Sequence, residues 1–373
     1  LAYQYSATTG KLTSVATGPA STLTLAYDGF LPLSSTWTGT VAGSVSKTYD
    51  NFLRVASLSV NGGSAIAYAY DADGLVTQAG AEGLTHDPAN GLLTGTSLGG
   101  VTDTYTYNTF GEVTGYTAKT GAPVYSAQFT RDALGRVAQK TETVGTATAI
   151  YGYTYDTAGR LTAVSQGGAP YTSYQYDSNG NRLGKTVLLS TVNGAYDAQD
   201  RLTSWNGTTY AYTANGELRS KTAVSGPPGY TYDALGNLQK VVLPNGTIVD
   251  YVIDGMNRRV GKKVAGVLVK GWLYDGIRPV AELDGTGAVT ATFVYASKAN
   301  APDYMVKGGN TYRIITDHLG SPRLMIDSVT GAVMQQISYD EFGVIANDTN
   351  PGFQPFGFAG GLYDADTRLT RFG

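Results

Sequence analysis

A chain of 373 residues with 15% charged residues, a net charge of −3 and a pI near 5.4 gives no sign of nucleic-acid binding, whose usual footprint is a basic face. With no Cys it can form neither disulfides nor thiolate metal sites, and no apolar run approaches the roughly 18 residues of a membrane helix. Gly at 49 residues and Tyr at 28, with plentiful Thr and Ser, is the composition of many short strands joined by turns.

Leu1 opens inside a strand-like pattern with no initiator Met and no signal peptide, so the chain reads as an internal stretch of a longer polypeptide. The dipeptide Tyr-Asp then recurs ten times, beginning at Tyr27, Tyr49, Tyr70, Tyr155, Tyr176, Tyr196, Tyr232, Tyr274, Tyr339 and Tyr363. Positions 27 and 49 are 22 apart, 49 and 70 are 21, 155 and 176 are 21, and 176 and 196 are 20. Degenerate copies such as His86-Asp87, Tyr107-Asn108, Arg131-Asp132, Tyr212-Thr213, Ile253-Asp254 and Tyr295-Ala296 fill the longer gaps. A period sustained this long marks a repeat architecture.

The unit is clearest from Tyr151 to Val164. Tyr151, Tyr153 and Tyr155 alternate with small residues, Asp156 and Gly159 sit at the first and fourth places of a type I turn, and Leu161 to Val164 alternate again. The same turn pairs are Asp71 with Gly74, Asp132 with Gly135, Asp177 with Gly180 and Asp233 with Gly236. Arg, Asn or another small or polar residue follows each turn, then Leu or Val; connectors such as Ser225–Gly229 separate units. No amphipathic stretch exceeds about two helical turns. The pattern therefore predicts an all-β fold, a long antiparallel sheet of repeated hairpins. About thirty strands exceed the ~10 an open sheet tolerates, so the sheet is expected to wind into a spiral or tube. Tyr rings at matching places should form cross-strand ladders, and each turn Asp should cap backbone N–H groups.

The pattern Tyr-x-Tyr-Asp-x-x-Gly-Arg-Leu resembles the YD repeat of the Rhs (rearrangement hotspot) family, which includes bacterial polymorphic toxins, the C component of insecticidal toxin complexes, wall-associated proteins and animal teneurins. The Asp317-His318-Leu319-Gly320-Ser321-Pro322-Arg323 segment resembles the signature preceding the Rhs-associated core. Tyr339 to Gly343 resembles a further core element with Glu341 where Pro is usual, and Pro355-Phe356-Gly357-Phe358-Ala359-Gly360-Gly361 with Leu362 to Gly373 resembles the core motif. Arg368 stands where the family has Gly.

The resemblance implies a hollow cocoon: residues 1–300 as YD-repeat shell and 301–373 as the start of the core, with a self-cleaving aspartyl-protease-like segment lying beyond residue 373. It implies a non-enzymatic shell, secreted or at the bacterial cell surface, whose partner is its own C-terminal cargo or toxin domain, with a secretion apparatus or surface receptor as a further partner. The alternative is an extracellular structural or adhesive protein that associates with copies of itself; a carbohydrate-binding or glycan-hydrolysing β-solenoid ranks below both. No cofactor, metal or catalytic residue is assigned. Asp364 and Asp366 sit two apart in the core motif, where in a turn they would bind backbone donors; the partner Asp that an aspartyl pair needs is placed by the resemblance beyond residue 373. Asp71 with Asp73 falls short of the oxygens calcium takes. His318 beside Asp317 is expected to be a packed, hydrogen-bonded core residue rather than a base, and His86 a sheet residue. Trp37, Trp205 and Trp272 are expected in the core rather than under sugars.

Overall fold

The computed structural model describes residues 1–18, 21–222 and 229–372; of the connector Ser225–Gly229 only Gly229 lies among them. Among the described residues there is no α-helix; a short 3-10 turn lies at Phe358–Gly360. Thirty-four strands of the described residues belong to one sheet, and Leu362–Asp364 pairs with Leu369–Arg371 in a second, two-stranded one. The observed pairings are antiparallel between sequence neighbours, as a meander of hairpins requires.

The chain divides into two compact units. Unit 2 comprises residues 103–231 and 242–246. Its strands keep the alternation of a sheet with one better-buried face. Ala169–Tyr176, for example, buries Thr172 and Tyr174 and leaves Ser173 and Gln175 exposed. Asp103 accepts from Tyr116 OH at 2.7 Å and Glu142 from Tyr125 OH at 2.7 Å, so each of these buried carboxylates takes a tyrosine hydroxyl.

Unit 1 comprises residues 1–102, 232–241 and 247–373, and is layered. Leu23, Trp37, Val45, Leu58 and Val60 from the first hairpins share one core with Val260, Trp272, Leu273, Phe293, Ile314 and Met325. The contacts between the two strips keep a nearly constant offset. Thr17 donates to Ile253 O, Trp37 Nε1 to Asp254 Oδ2, and Tyr304 OH to Ala79 O, across 236, 217 and 225 residues. At about 21 residues per repeat, that offset is roughly ten to eleven hairpins. A constant offset means that two strips of the meander run side by side in register. Strands covered on both faces lose alternation: Arg278–Asp284 is buried from Pro279 to Leu283 and Pro322–Asp327 from Pro322 to Ile326.

Candidate functional site

Most repeat turns are built by one Asp carboxylate, with Asn108 and Thr213 in its place in two of them. Asp156 Oδ1 accepts the backbone N–H groups of Ala158 and Arg160 at 3.0 and 2.9 Å, and Gly159 N donates to Asp156 O at 3.0 Å. Asp71, Asp132, Asp177 and Asp233 accept from the residues two and four places on in the same way. Gly74, Gly135, Gly159, Gly180 and Gly236 have φ of 83°, 78°, 82°, 91° and 81°, the left-handed region that side chains penalise. Leu53, Asp200 and Asn257 hold the corresponding place at φ 63°, 60° and 61°, so the repeat tolerates a residue that is not β-branched there.

The second carboxylate oxygen starts a link to the next hairpin. Asp156 Oδ2 takes Arg160 Nε at 2.7 Å, and Asp132, Asp197 and Asp254 hold Arg136, Arg201 and Arg258 likewise. Arg160 Nη1 then donates to Asp177 O of the following turn at 2.7 Å, and its guanidinium lies over the Tyr176 ring at 5.0 Å. Tyr176 OH returns the contact to Leu161 O at 2.8 Å. Arg54 with Tyr70, Arg136 with Tyr155, Arg201 with Tyr212, Arg258 with Tyr274 and Arg278 with Tyr295 repeat the stack at 4.4 to 5.4 Å. The ring ladder expected of these tyrosines is thus an Arg–Tyr ladder, because the guanidinium of one hairpin occupies the face a second ring would use. A Tyr–Tyr series does run through Tyr105, Tyr116 and Tyr125, with centroids 4.9 and 5.9 Å apart. The turn carboxylate titrates accordingly. Hydrogen bonds from the Arg160 N–H and guanidinium hold Asp156 below its ordinary value of 3.8.

In unit 1 a buried charged cluster joins the two strips. Arg313, fully buried, pairs with Glu82, donates to Asp303 O at 3.0 Å and to Thr96 Oγ1 at 3.0 Å, and lies 3.6 Å from Asp303 Oδ1. Asp303 Oδ2 accepts the N–H groups of Ala296 and Ser297 at 2.7 and 2.8 Å. Burial would push the Asp303 carboxyl up, but Lys298 and Arg313 keep it below the usual range.

The signature segments converge. Asp317 forms the repeat turn, accepting from Leu319 and Ser321 at 2.9 Å each, with Gly320 at φ 91°. His318 is exposed at the second place of that turn, where no core forms, so the packed-histidine expectation fails there. Pro322 and Arg323 begin a buried strand, and Arg323 Nε donates to Ile337 O at 2.9 Å. Pro355 is buried and its carbonyl accepts Tyr363 N at 2.9 Å. Asn300, which sequence reasoning missed, joins the two motifs: its Nδ2 donates to Leu319 O at 2.8 Å and Ala359 O at 3.0 Å. Ser321 Oγ accepts Ala359 N at 3.1 Å. A Cβ on Gly320 would lie 2.5 Å from Asn300 Nδ2, one on Gly360 2.1 Å from Asn300 O, and one on Gly357 2.9 Å from Tyr363 Cβ. Those glycines are dictated by close approach. No signal short of the fold would have singled out Asn300.

Asp364 and Asp366 clasp one ammonium. Lys262 Nζ donates to Asp364 Oδ1 and Asp366 Oδ2 at 2.6 Å each, and Tyr251 OH donates to Asp364 Oδ2 at 2.6 Å. Burial raises the Asp364 carboxyl, but the bonds from Lys262 and Tyr251 outweigh it and hold it below the ordinary value. An acid–base dyad needs one neutral carboxyl; the lysine instead favours the ionised form of Asp364. Trp37 and Trp272 are buried, while Trp205 is half-buried under Arg182 at 4.6 Å. His86 lies half-buried in the strand Glu82–His86.

A family model described as the teneurin YD-shell matches residues 1–373. Mouse teneurin-4 is 33% identical over 262 residues and zebrafish teneurin-3 30% over 260, each across 65% of this chain and 9% of the relative. The tRNA3(Ser)-specific nuclease WapA of Bacillus spizizenii is 28% identical over 208 residues, 52% of this chain and 9% of that protein. The chain therefore spans about a tenth of the curated relatives it matches. The crystal structure of TcdB2-TccC3 superposes with a TM-score of 0.74 at 15% identity, over 98% of this chain and 23% of that one. The Photorhabdus luminescens Tc holotoxin pore gives 0.66 at 14%, over 96% and 21%. The repeat period, the Asp-built turns, the single antiparallel meander and a match along every residue agree: this chain belongs to the teneurin YD-shell family.

Proposed function

We propose that the chain is a length of wall in a shell that encloses a polypeptide segment of its own protein, in a secreted or cell-surface setting. Residues 1–300 supply the repeat wall and 301–373 begin the core at which the wall meets its contents. The observation that carries this reading is the latch itself. At Asp132, Asp156, Asp197 and Asp254 a hairpin is held by its own turn carboxylate and tied to the next by an Arg–Tyr stack, a design that lengthens a sheet one hairpin at a time. Stability in such arrays is a sum of unit and neighbour terms. At about 0.5–1 kcal/mol per exposed cation–π contact and a similar amount per hydrogen bond, a stack with its two hydrogen bonds contributes roughly 1.5–3 kcal/mol. The lysine-clasped carboxylates favour a wall without its own hydrolytic chemistry.

The test is limited proteolysis of the native polypeptide with a protease site placed downstream of residue 373. A reporter site that resists cleavage until the wall is unfolded supports enclosure; one cut as fast as a free peptide overturns it. Self-association into fibres that leaves the reporter accessible would favour the structural or adhesive reading.

A further inference from the structure

Within unit 1 a cavity of about 180 Å³ lies between the repeat turns and the C-terminal segment. Three guanidiniums line it, those of Arg258, Arg278 and Arg371, together with the rings of Tyr274, Tyr295 and Phe372. No carboxylate is among its lining residues. Arg258 is neutralised, since Asp254 Oδ2 takes its Nη2 at 2.7 Å and its Nε at 2.9 Å. The other two are not. Arg278 Nε donates to Ala299 O at 3.0 Å, and Arg371 Nη2 donates to Asn257 O; both partners are backbone carbonyls, which carry no charge to balance a cation. Asp233 is near enough to Arg371 for its carboxyl to be lowered slightly by it, but no ion pair forms between them. Behind the wall Arg259 is buried over the Tyr251 ring, and the nearest carboxylate, Asp364, is already shared with Lys262. The pocket thus has a positive field, and Arg278 and Arg371 keep guanidinium N–H groups to spare.

We propose that this cavity binds a carboxylate carried on a short apolar body, as a peptide presents it. Two guanidiniums supply charge-assisted, fork-shaped donors for one carboxylate, and the tyrosine and phenylalanine walls with Ile277 and Leu362 take the apolar part. At about 30 Å³ per water the space equals roughly six waters, enough for a carboxylate and one small side chain but not for a folded partner. The carboxylate can come from a chain terminus or from an acidic side chain. The site stands independently of the enclosure reading.

The experiment uses the whole chain and ligand-observed NMR with calorimetry. N-acetyl-leucine probes the terminal carboxylate, N-acetyl-glutamic acid α-amide the side-chain carboxylate, N-acetyl-leucine amide the apolar body alone, and inorganic phosphate the bare anion. The expected result is that at least one carboxylate probe binds about tenfold or more tighter than the amide and than phosphate, and weakens as salt is raised. Which carboxylate wins identifies the source. Arg278→Gln and Arg371→Gln should each weaken it about tenfold, with Arg278→Lys recovering part of the loss. Equal binding of the amide, tighter binding of phosphate, or no carboxylate binding to the unaltered chain would overturn the proposal even if a variant failed to fold.

Discussion

The two units are made of the same hairpin and the same latch, yet they bury it differently. In unit 2 the latch runs from Arg136 to Tyr155 and from Arg160 to Tyr176 along strands that keep one more exposed face. In unit 1 the identical device continues through Arg258 and Tyr274, but a second strip is laid over it, and Trp37 reaches across to bond the turn carboxylate Asp254. The repeat residues are therefore sufficient for a sheet and insufficient for a layer. Layering is specified by residues that break the repeat: Trp37, Glu82, Asp303 and Arg313.

The contrast is broken most severely at Arg313. Replacing it with Met leaves Glu82 buried without its cation and Asp303 with Lys298 alone, and removing one partner of a buried pair costs about 3–5 kcal/mol. Chemical denaturation should show unit 1 losing that much while unit 2, followed through hydrogen exchange of 137–187, keeps its protection. Equal loss in both would mean the cluster does not serve the layers. Gly159→Val in unit 2 comes next. A β-branched residue forced to φ 82° costs on the order of 1–3 kcal/mol, so the midpoint of unfolding should fall, and more than for Gly159→Asn. Identical midpoints for Val and Asn would show that the turn has relaxed out of the left-handed region.

Acid sharpens the comparison further. Asp156 is held below 3.8 by hydrogen bonds from Arg160, and Asp303 is held low by Lys298 and Arg313 against its burial. A carboxyl with a depressed folded pKa contributes stability that is complete above its unfolded value. That contribution is lost as pH falls from 3.8 through the folded pKa. Thermal unfolding should therefore be flat from pH 7 to about 5 and fall steeply below about 4, less steeply in Asp156→Asn because one of the titrating latches is gone. The smallest effect is expected from Tyr155→Phe, which removes only the hydroxyl's bond to Val137 O at 2.8 Å and keeps the Arg136 stack; about 0.5–1.5 kcal/mol should disappear. A larger loss would place more of the junction's energy in the hydroxyl than in the stack.

Local structure was readable from the sequence wherever chemistry is local. Period-two alternation and the Asp…Gly spacing locate strands and turns because both depend on neighbours within five residues. The arginine after the turn was visible at Arg136 and Arg160, but its task was not, since the Tyr it covers lies in the next hairpin. His318 was misjudged for a similar reason: its surroundings read as core, while the repeat register puts it at a turn tip. Arg368 keeps φ 56° without a glycine, its N–H bonded to Asp364 O at 2.7 Å, so the turn survives the departure from the family residue. The layered core, Asn300 and the cation-lined cavity all depend on contacts across dozens to hundreds of residues, which periodicity does not encode.

The claim that two strips of unit 1 lie side by side is tested most directly by zero-length carbodiimide coupling followed by peptide mass spectrometry. Lys47 and Asp275 form an ion pair across the strips, and both side chains are partly exposed. The reagent joins only an amine and a carboxylate already in contact. The layered arrangement predicts an isopeptide-linked Lys47–Asp275 peptide pair, formed within one molecule and lost once the chain is unfolded in denaturant. Lys47 linked solely to carboxylates of its own or adjacent hairpins, with Asp275 unmodified by any lysine from the first strip, would contradict it.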